Sequence, residues 1–407
     1  MTASVSSRDV QVGRDFPAKG DVRALPRDDF DRPVWCVFGM PVDLIDLGAA
    51  AAAVEAAMRD RRRLAFITPN VHWLVRFLRD PEARRQTIDA DMSFIDGAPL
   101  AALARLLGAR VPGRVAGSDL FEALRARPGL SGRRRRIFFF GGEEGAAAKA
   151  AAALALDRGG LEPAGWLNPG FGDVESMSGE TTIETVNQAE ADMVVVSVSA
   201  AKGQAWIARN QHRLNAPVVA NLGAVVNFTA GTVRRAPESW RRFGFEWLWR
   251  IREEPALWRR YATDGATLLA FAARRLPGQL LAMRAARRSG ARADAMVIRE
   301  PGATVVRLSG DLLAPDLAVV RRAFREAAAS DAPAVRLDFA AVGRFDGAFM
   351  GLVLMLEKHA RRRGARLETA FLSRAARAVF RSNAMNYPCS AGRSAGGGAT
   401  AEAAVSA

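Results

Sequence analysis

The chain is poor in the residues that build most metal and disulfide sites. It holds two cysteines, Cys36 and Cys389, and three histidines, His72, His212 and His359, in 407 residues. Two cysteines make no disulfide framework and no zinc cluster, and histidines this scattered make no ligand set, so no metal is expected. Lysine is nearly absent: Lys19, Lys149, Lys202 and Lys358 stand among 58 basic residues, so 54 are arginine. No apolar run approaches the roughly 18–20 residues a spanning helix needs. The longest candidates, such as MVVVSVSAA from Met193, fit a buried strand. No secretory leader is legible either. Residues 1–33 are polar, mixed in charge and rich in turn formers, which reads as a disordered tail. Dinucleotide and Walker fingerprints are missing: GGEEGA at Gly141 does not read GxGxxG, so a nicotinamide-dependent enzyme is unsupported and no cofactor is expected.

What is present describes a folded protein of two or three units. Hydrophobic residues make up 49% and charged residues 25%, ordinary values that exclude a disordered scaffold. Over residues 34–232 short apolar runs alternate with Ala-rich amphipathic stretches. LAFI from Leu64, MSFI from Met92, RIFFF from Arg136 and MVVVSV from Met193 each precede a helical pattern, and PVVANL follows from Pro217. Strands that are apolar throughout are buried on both faces, hence a mostly parallel sheet between helices. Residues 233–276 form a basic segment, 277–297 a linker broken by Pro277-Gly278, and 298–388 a second small α/β unit of strands and amphipathic helices. The low-complexity end, 389–407, reads as a disordered tail.

Ligands of open parallel sheets bind beyond the carboxyl ends of the strands. Four loops there carry candidate residues. Asp96, followed by Gly97, is placed either to accept a proton from a sugar hydroxyl or to cap the helix from Ala98. Gly141 and Gly142 either cradle a diphosphate on backbone N–H groups or make a tight turn. Thr68 and Asn70 either bond a sugar or phosphate or cap the next helix. The fourth loop runs from Ser199 to Gln204. Arg114 is a candidate to neutralise phosphate, and Asp119 to hold a hydroxyl or cap a helix.

The net charge of +15 is concentrated. Between Arg234 and Arg292 there are 14 arginines against five carboxylates, with Trp240, Trp247, Trp249 and Trp258 among them. Tryptophan favours the membrane–water interface, and arginine clusters attract anionic head groups and diphosphates. The plainer alternative is a solvated arginine-rich helix with its tryptophans in the core. Nucleic-acid binding ranks last, because no recognition module accompanies the charge.

Several stretches, in one order, closely resemble the WecG/TagA/CpsF family of glycosyltransferases. They are ITPNVHW from Ile67, DPEARRQTIDADMSFIDGAPLAALARLLG from Asp80, RVAGSDLFEAL from Arg114, FFFGG from Phe138 and NPGF from Asn168. AKGQAWIARNQ from Ala201, NLGAVVNFTAGTVRRAPESWRRFGFEWLWRIREEP from Asn221 and WRRY from Trp258 complete the series, so the likeness spans roughly 35 to 275. It implies a Rossmann-like sheet with a basic helical appendage. It also implies an inverting, metal-independent transfer of a sugar, usually an N-acetylhexosamine such as N-acetylmannosamine. The implied donor is a UDP-sugar and the implied acceptor a polyprenyl-diphosphate-linked sugar, at the cytoplasmic face of an anionic membrane, in cell-surface polysaccharide synthesis. Asp96 falls on the family's general base, and Thr68 and Asn70 on its active-site loop. Arg250, Arg259 and Arg260 fall in the appendage that meets the membrane and the diphosphate. Two departures touch the donor contacts. Ala201-Lys202-Gly203-Gln204 replaces Pro-Lys-Gln-Glu, and Asn227 replaces an aspartate. They keep open a rival reading, a non-catalytic nucleotide-sugar sensor or scaffold.

The last unit, with VVRLSGDLLAPD, VRLDFAAVGRFDGAFMGLVLML and ARLETAFL, resembles a STAS domain, the sheet-and-helix module of anti-sigma-factor antagonists. Its relatives carry a phosphorylated serine after the aspartate of the Asp346 loop. Gly347-Ala348 stand there instead, which leaves docking to a protein partner as the implied role.

Overall fold

The computed structural model describes residues 28–129, 132–237, 239–240, 246–285 and 289–389. The tail expectations for 1–27 and 390–407, and the Arg241-Arg242 pair of the basic segment, lie outside these residues.

A hairpin of β1 (Val34–Val37) and β2 (Met40–Asp43) opens the described chain. The central sheet follows: β3 (Leu64–Ile67), β4 (Met92–Ser93), β5 (Arg135–Gly141), β6 (Leu161–Leu167), β7 (Met193–Ser197) and β8 (Val218–Asn221). Its order is β4-β3-β8-β7-β5-β6 and every pairing is parallel. β3, β7 and β8 are buried at every position, as continuous apolar runs require. β6 is an edge strand, as β4 is at the other side; Pro163 cannot donate to a ladder and is tolerated there. Helices α1 (Leu47–Arg59), α2 (Val71–Arg79), α3 (Pro81–Asp89), α4 (Ala98–Leu106), α5 (Gly117–Ala126), α6 (Ala146–Leu156), α7 (Glu180–Gln188), α8 (Ala200–Asn210) and α9 (Gly223–Thr229) flank it. One core lies under α1, α5, α6 and α9, and a second under α7 and α8.

Among the described residues, much of the basic segment lies on α10 (Glu246–Glu253) and α11 (Leu257–Ala285). The expectation of a break at Pro277-Gly278 is corrected, since α11 runs through both. A proline inside a helix costs about 3 kcal/mol, and packing of Leu276, Ala282 and Met283 against the neighbouring core offsets that cost. The alternative of tryptophans buried in the core is corrected too: Trp240, Trp247 and Trp258 are exposed.

The second unit has β9 (Asp294–Glu300), β10 (Ala303–Leu312), α12 (Ala318–Ala328), β11 (Ala334–Phe345), α13 (Gly347–Arg362), β12 (Arg366–Ala370) and α14 (Arg374–Ser382). The sheet order is β12-β11-β10-β9, with β9 antiparallel to β10 and the other pairs parallel. The unit therefore begins at a strand that the sequence leaves inside the linker.

One hydrophobic core runs from the hairpin into this second unit, joining Phe30, Trp35 and Phe38 to Phe349, Leu354 and Phe380. α13 touches the hairpin through glycines. A Cβ on Gly347 would stand 2.2 Å from the Trp35 indole nitrogen, and one on Gly351 2.8 Å from the Val34 carbonyl oxygen. Residues 28–33, expected in a tail, are part of this junction, with Phe30 and Arg32 fully buried. Arg32 forks onto Asp43 at 3.0 and 2.9 Å and reaches Asp29 at 2.9 Å. Lys358, fully buried on α13, donates to Asp29 at 3.0 Å and to the Ala90 carbonyl at 3.2 Å. Burial alone would raise the Asp29 carboxyl; the His359 hydrogen bond and the Lys358 and Arg32 charges outweigh it and hold it far below the usual range.

Candidate active site

The carboxyl ends of the central strands meet at one rim. Backbone hydrogen bonds knit its loops together: Asp96 N–H to the Pro69 carbonyl at 2.9 Å, Val115 N–H to Ile95 at 2.8 Å, and Leu222 N–H to Val196 at 2.9 Å. The loops bearing Thr68 and Asn70, Asp96, and Arg114 are therefore neighbours. Gly117, first residue of α5, sits so close that a Cβ there would press on Leu222 at 2.7 Å and the Thr68 hydroxyl at 3.3 Å.

Asp96 does not cap α4. That helix starts from Gly97, at φ +93°, with no side-chain cap bond. The carboxyl keeps part of its surface open yet is enclosed enough for lost hydration to dominate. Burial first, then the like charge of Glu246, lifts its pKa to about 7, while Arg114 and Arg250 pull downward and Asp119 upward. Four charged groups from two other stretches of chain, Arg114 with Asp119 and Glu246 with Arg250, thus act on Asp96 at the rim.

Asp119 caps nothing; α5 is entered from Ala116 without a side-chain cap. It pairs instead with Arg235, which also reaches the Ser118 hydroxyl at 3.1 Å. Asn70 does cap: its Oδ1 accepts from Trp73 N–H at 3.1 Å at the start of α2. Arg250 lies over the rim from α10, with Glu254 3.6 Å away and its Nε buried without a hydrogen-bond partner. Arg259 and Arg260, in the first turn of α11, face solvent beside the rings of Trp258 and Tyr261.

A second group lines the ends of β5, β7 and β8. Gly142 donates its N–H to the Ser197 carbonyl at 2.6 Å, so that amide serves the turn and is not free for a diphosphate. Gly141, at φ +87°, has β7 so near that a Cβ would stand 2.9 Å from the Ser197 carbonyl. Lys202 points away, donating to the Gly172 carbonyl at 2.7 Å. Gln204 is buried, and its Oε1 has no hydrogen-bond partner; the same holds for Oδ1 of Asn221 and of Asn227. Gly203 belongs to this arrangement, because a Cβ there would collide with the Asn221 amide at 2.3 Å. Buried amide oxygens without donors are uncommon in folded proteins and call for a partner, whether water or a bound group.

Sequence reasoning passed over Glu246, Asn221 and the individual role of Arg235. Glu246 is visible as one of five carboxylates in an arginine- and tryptophan-rich stretch, but its effect on Asp96 needs the placement of α10. Two cavities lie elsewhere. One of about 570 Å³ is at the opposite end of the strands, where Arg133 grips Asp192 at 2.8 Å. The other, about 290 Å³, is beside α13, where the Tyr387 hydroxyl donates to Glu357 at 2.7 Å. Among the described residues no helix is long and apolar enough to cross a membrane, and no three His, Cys, Asp or Glu side chains gather as a metal-binding group.

The chain that builds this parallel α/β sheet, charged rim and basic helical appendage is a member of a glycosyltransferase family. Residues 35–280, more than half the chain, match the model of the Glycosyl transferase WecG/TagA/CpsF family, and the chain belongs to that family. Residues 295–386 match a family described as Mlab, STAS domain. A curated protein of Bacillus spizizenii, N-acetylglucosaminyldiphosphoundecaprenol N-acetyl-beta-D-mannosaminyltransferase, is 27% identical over 222 residues, 54% of this chain and 84% of its own length. A crystal structure of an SsGBP variant aligns with 61% of this chain and 83% of its own at 8% identity and a TM-score of 0.19, which carries no argument.

Proposed function

We propose that this protein is an inverting glycosyltransferase that moves an N-acetylhexosamine, N-acetylmannosamine foremost, from UDP to a polyprenyl-diphosphate-linked sugar in cell-surface polysaccharide synthesis. The observation that carries the reading is Asp96, a carboxyl at the strand rim with a pKa of about 7, facing Arg114 and Arg250. The relative's transfer of N-acetylmannosamine to a diphosphoundecaprenol-linked sugar supports the choice of substrates.

A base works best when its pKa lies near the working pH. In its ionised form Asp96 takes the proton of the acceptor hydroxyl. The acceptor oxygen forms a bond to the anomeric carbon on one face as the bond to the diphosphate oxygen breaks on the other. UDP departs with that electron pair, inverting the anomeric centre. Arg114 and Arg250 stand where negative charge accumulates on the diphosphate and stabilise it electrostatically. In this reading arginine does the work that a divalent cation does in other sugar transferases, so chelators leave turnover unchanged. The unpartnered oxygens of Gln204, Asn221 and Asn227 suit the hydroxyl, amide and imide hydrogens of the donor. Exposed Trp247, Leu248 and Trp258, with Arg252, Arg259 and Arg260 in the same segment, form the surface that rests on anionic lipid at the cytoplasmic face of the membrane.

The test is a panel of labelled UDP-hexoses and UDP-N-acetylhexosamines with a lipid-diphosphate sugar acceptor, products identified by mass. Transfer is expected with an N-acetylhexosamine donor and is expected to fall about 10²–10⁴-fold in Asp96→Asn. Tight binding of a UDP-sugar with no turnover by the native chain would overturn the enzyme reading in favour of a sensor.

A further inference from the structure

Helix α11 is mostly wet. Among its described residues, Asp264 and Gln279 alone are buried, and both are polar. A carboxylate withdrawn from water needs a partner, and Asp264 has one in His72, whose Nδ1 lies 2.9 Å from Oδ2. His72 stands in the first turn of α2, directly after the loop that carries Thr68 and Asn70. One helical turn further along α11, the Thr267 hydroxyl accepts from Arg79 at 2.9 Å. A turn beyond that, Phe271 meets Phe38 edge to face, with centroids 5.1 Å apart. In the other direction, Arg260 is one turn before Asp264 and Arg259 adjoins it. The apolar anchorage to the core runs from Leu268 onward, while the end that carries Arg259 and Arg260 is held by Tyr261 against Trp247 of α10, ring centroids 6.2 Å apart, by the His72–Asp264 contact and by Arg79 on Thr267.

We propose that His72 and Asp264 form a clamp that fixes the arginine-bearing end of α11 against the active-site loop, so that Arg259 and Arg260 meet a lipid-borne diphosphate in register with Asp96. They are positioning residues, acting through the helix they hold. The purpose of the clamp rests on the reading under Proposed function; its existence does not. Anchorage by polar contacts suits a helix that must engage a membrane surface, since it orders the arginines without burying the face that lipid needs.

The test uses the full chain and two variants. His72→Asn places an amide nitrogen where Nδ1 stood and keeps the bond to Asp264; His72→Ala removes it. The first readout needs no substrate. Hydrogen exchange of amides over residues 257–268 is expected to quicken about tenfold in His72→Ala, the effect of losing one charge-assisted hydrogen bond, and to stay at the native rate in His72→Asn. Equal exchange in all three proteins overturns the clamp. The second readout is kinetic. His72→Ala is expected to raise KM for a long-chain acceptor in anionic vesicles while kcat on a short-chain, water-soluble acceptor stays within about twofold, with native values restored in His72→Asn. Equal losses on both acceptors, or no rescue by asparagine, reduce the pair to general packing and overturn its positioning role. If the native chain transfers no sugar at all, the functional reading fails and the exchange result still decides the clamp.

Discussion

Helices α13 and α11 are both long and both carry arginines, yet they are held in opposite ways. α13 is enclosed: from Gly347 to Ala360 nearly every residue is buried, between its own sheet on one side and the β1–β2 hairpin on the other. Even its lysine, Lys358, ends in a closed set of hydrogen bonds. α11 buries two polar side chains and turns leucine, arginine and tryptophan outward. Enclosure of the first kind welds the STAS-like unit to the glycosyltransferase and covers the start of α13. Docking of the second kind leaves a surface for something outside the chain. The proposed chemistry sits at the rim where Asp96 lies, which α10 and the start of α11 adjoin.

If α13 is a weld, the largest effects should come from cutting it. Arg32→Ala strands Asp43 and leaves Asp29 one cation short in the interior, a loss of about 3–5 kcal/mol for a broken buried pair. Urea unfolding of the native chain should show one transition shared by both units, moved bodily to lower denaturant in this variant. Two separated transitions would break the comparison. On the docked side, reversing the exposed Arg259 and Arg260 to glutamate should leave urea unfolding nearly in place. It should lower co-sedimentation with anionic vesicles more than about tenfold, each basic residue near such a surface contributing about 1 kcal/mol. Unchanged pelleting would mean that the outward face of α11 meets something other than lipid.

The same contrast explains what was legible beforehand. The strands LAFI, RIFFF and MVVVS announce themselves because burial on both faces demands unbroken apolar runs. β6 does not, because an edge strand has no such demand and Pro163 argues against a strand. The hairpin is hidden because its turn uses Phe38 at φ +49° and Gly39 at φ +85°, a bend with no sequence signature of the usual Asn-Gly kind. The end of α11 is misread since Pro277 normally stops a helix, and only tertiary packing says otherwise. At the rim, Asp96 and Thr68 are legible from their places after strands, whereas Arg114, in the loop between α4 and α5, does not stand out by position. The influence of Glu246 on Asp96 crosses 150 positions of sequence and exists only once α10 lies over the sheet. Asp119 is legible as a carboxylate but not as the partner of Arg235, for the same reason.

A smaller effect concerns stability at the rim itself. The Asp96 pKa is raised in the folded chain above its unfolded value of 3.8. The fold therefore loses stability as pH climbs from about 4 to about 7, and the penalty stays constant above that. Asp96→Asn removes it. Its melting temperature should exceed that of the native chain at pH 8, with the gap closing toward pH 4; calorimetry at the two pH values reads this directly. A variant that melts lower at pH 8 would place the carboxylate in a stabilising pair instead.

The account stands on Asp96 being a base whose affinity for its proton is set by burial and by Glu246. The pH dependence of kcat/KM, measured in the native chain and in Glu246→Gln, tests this most directly. The native rate should rise with pH through a midpoint near 7, and the variant's midpoint should move to lower pH, since a repelling negative charge has gone. A native profile flat from pH 5 to 9, or a midpoint that stays put or moves upward in Glu246→Gln, would contradict it.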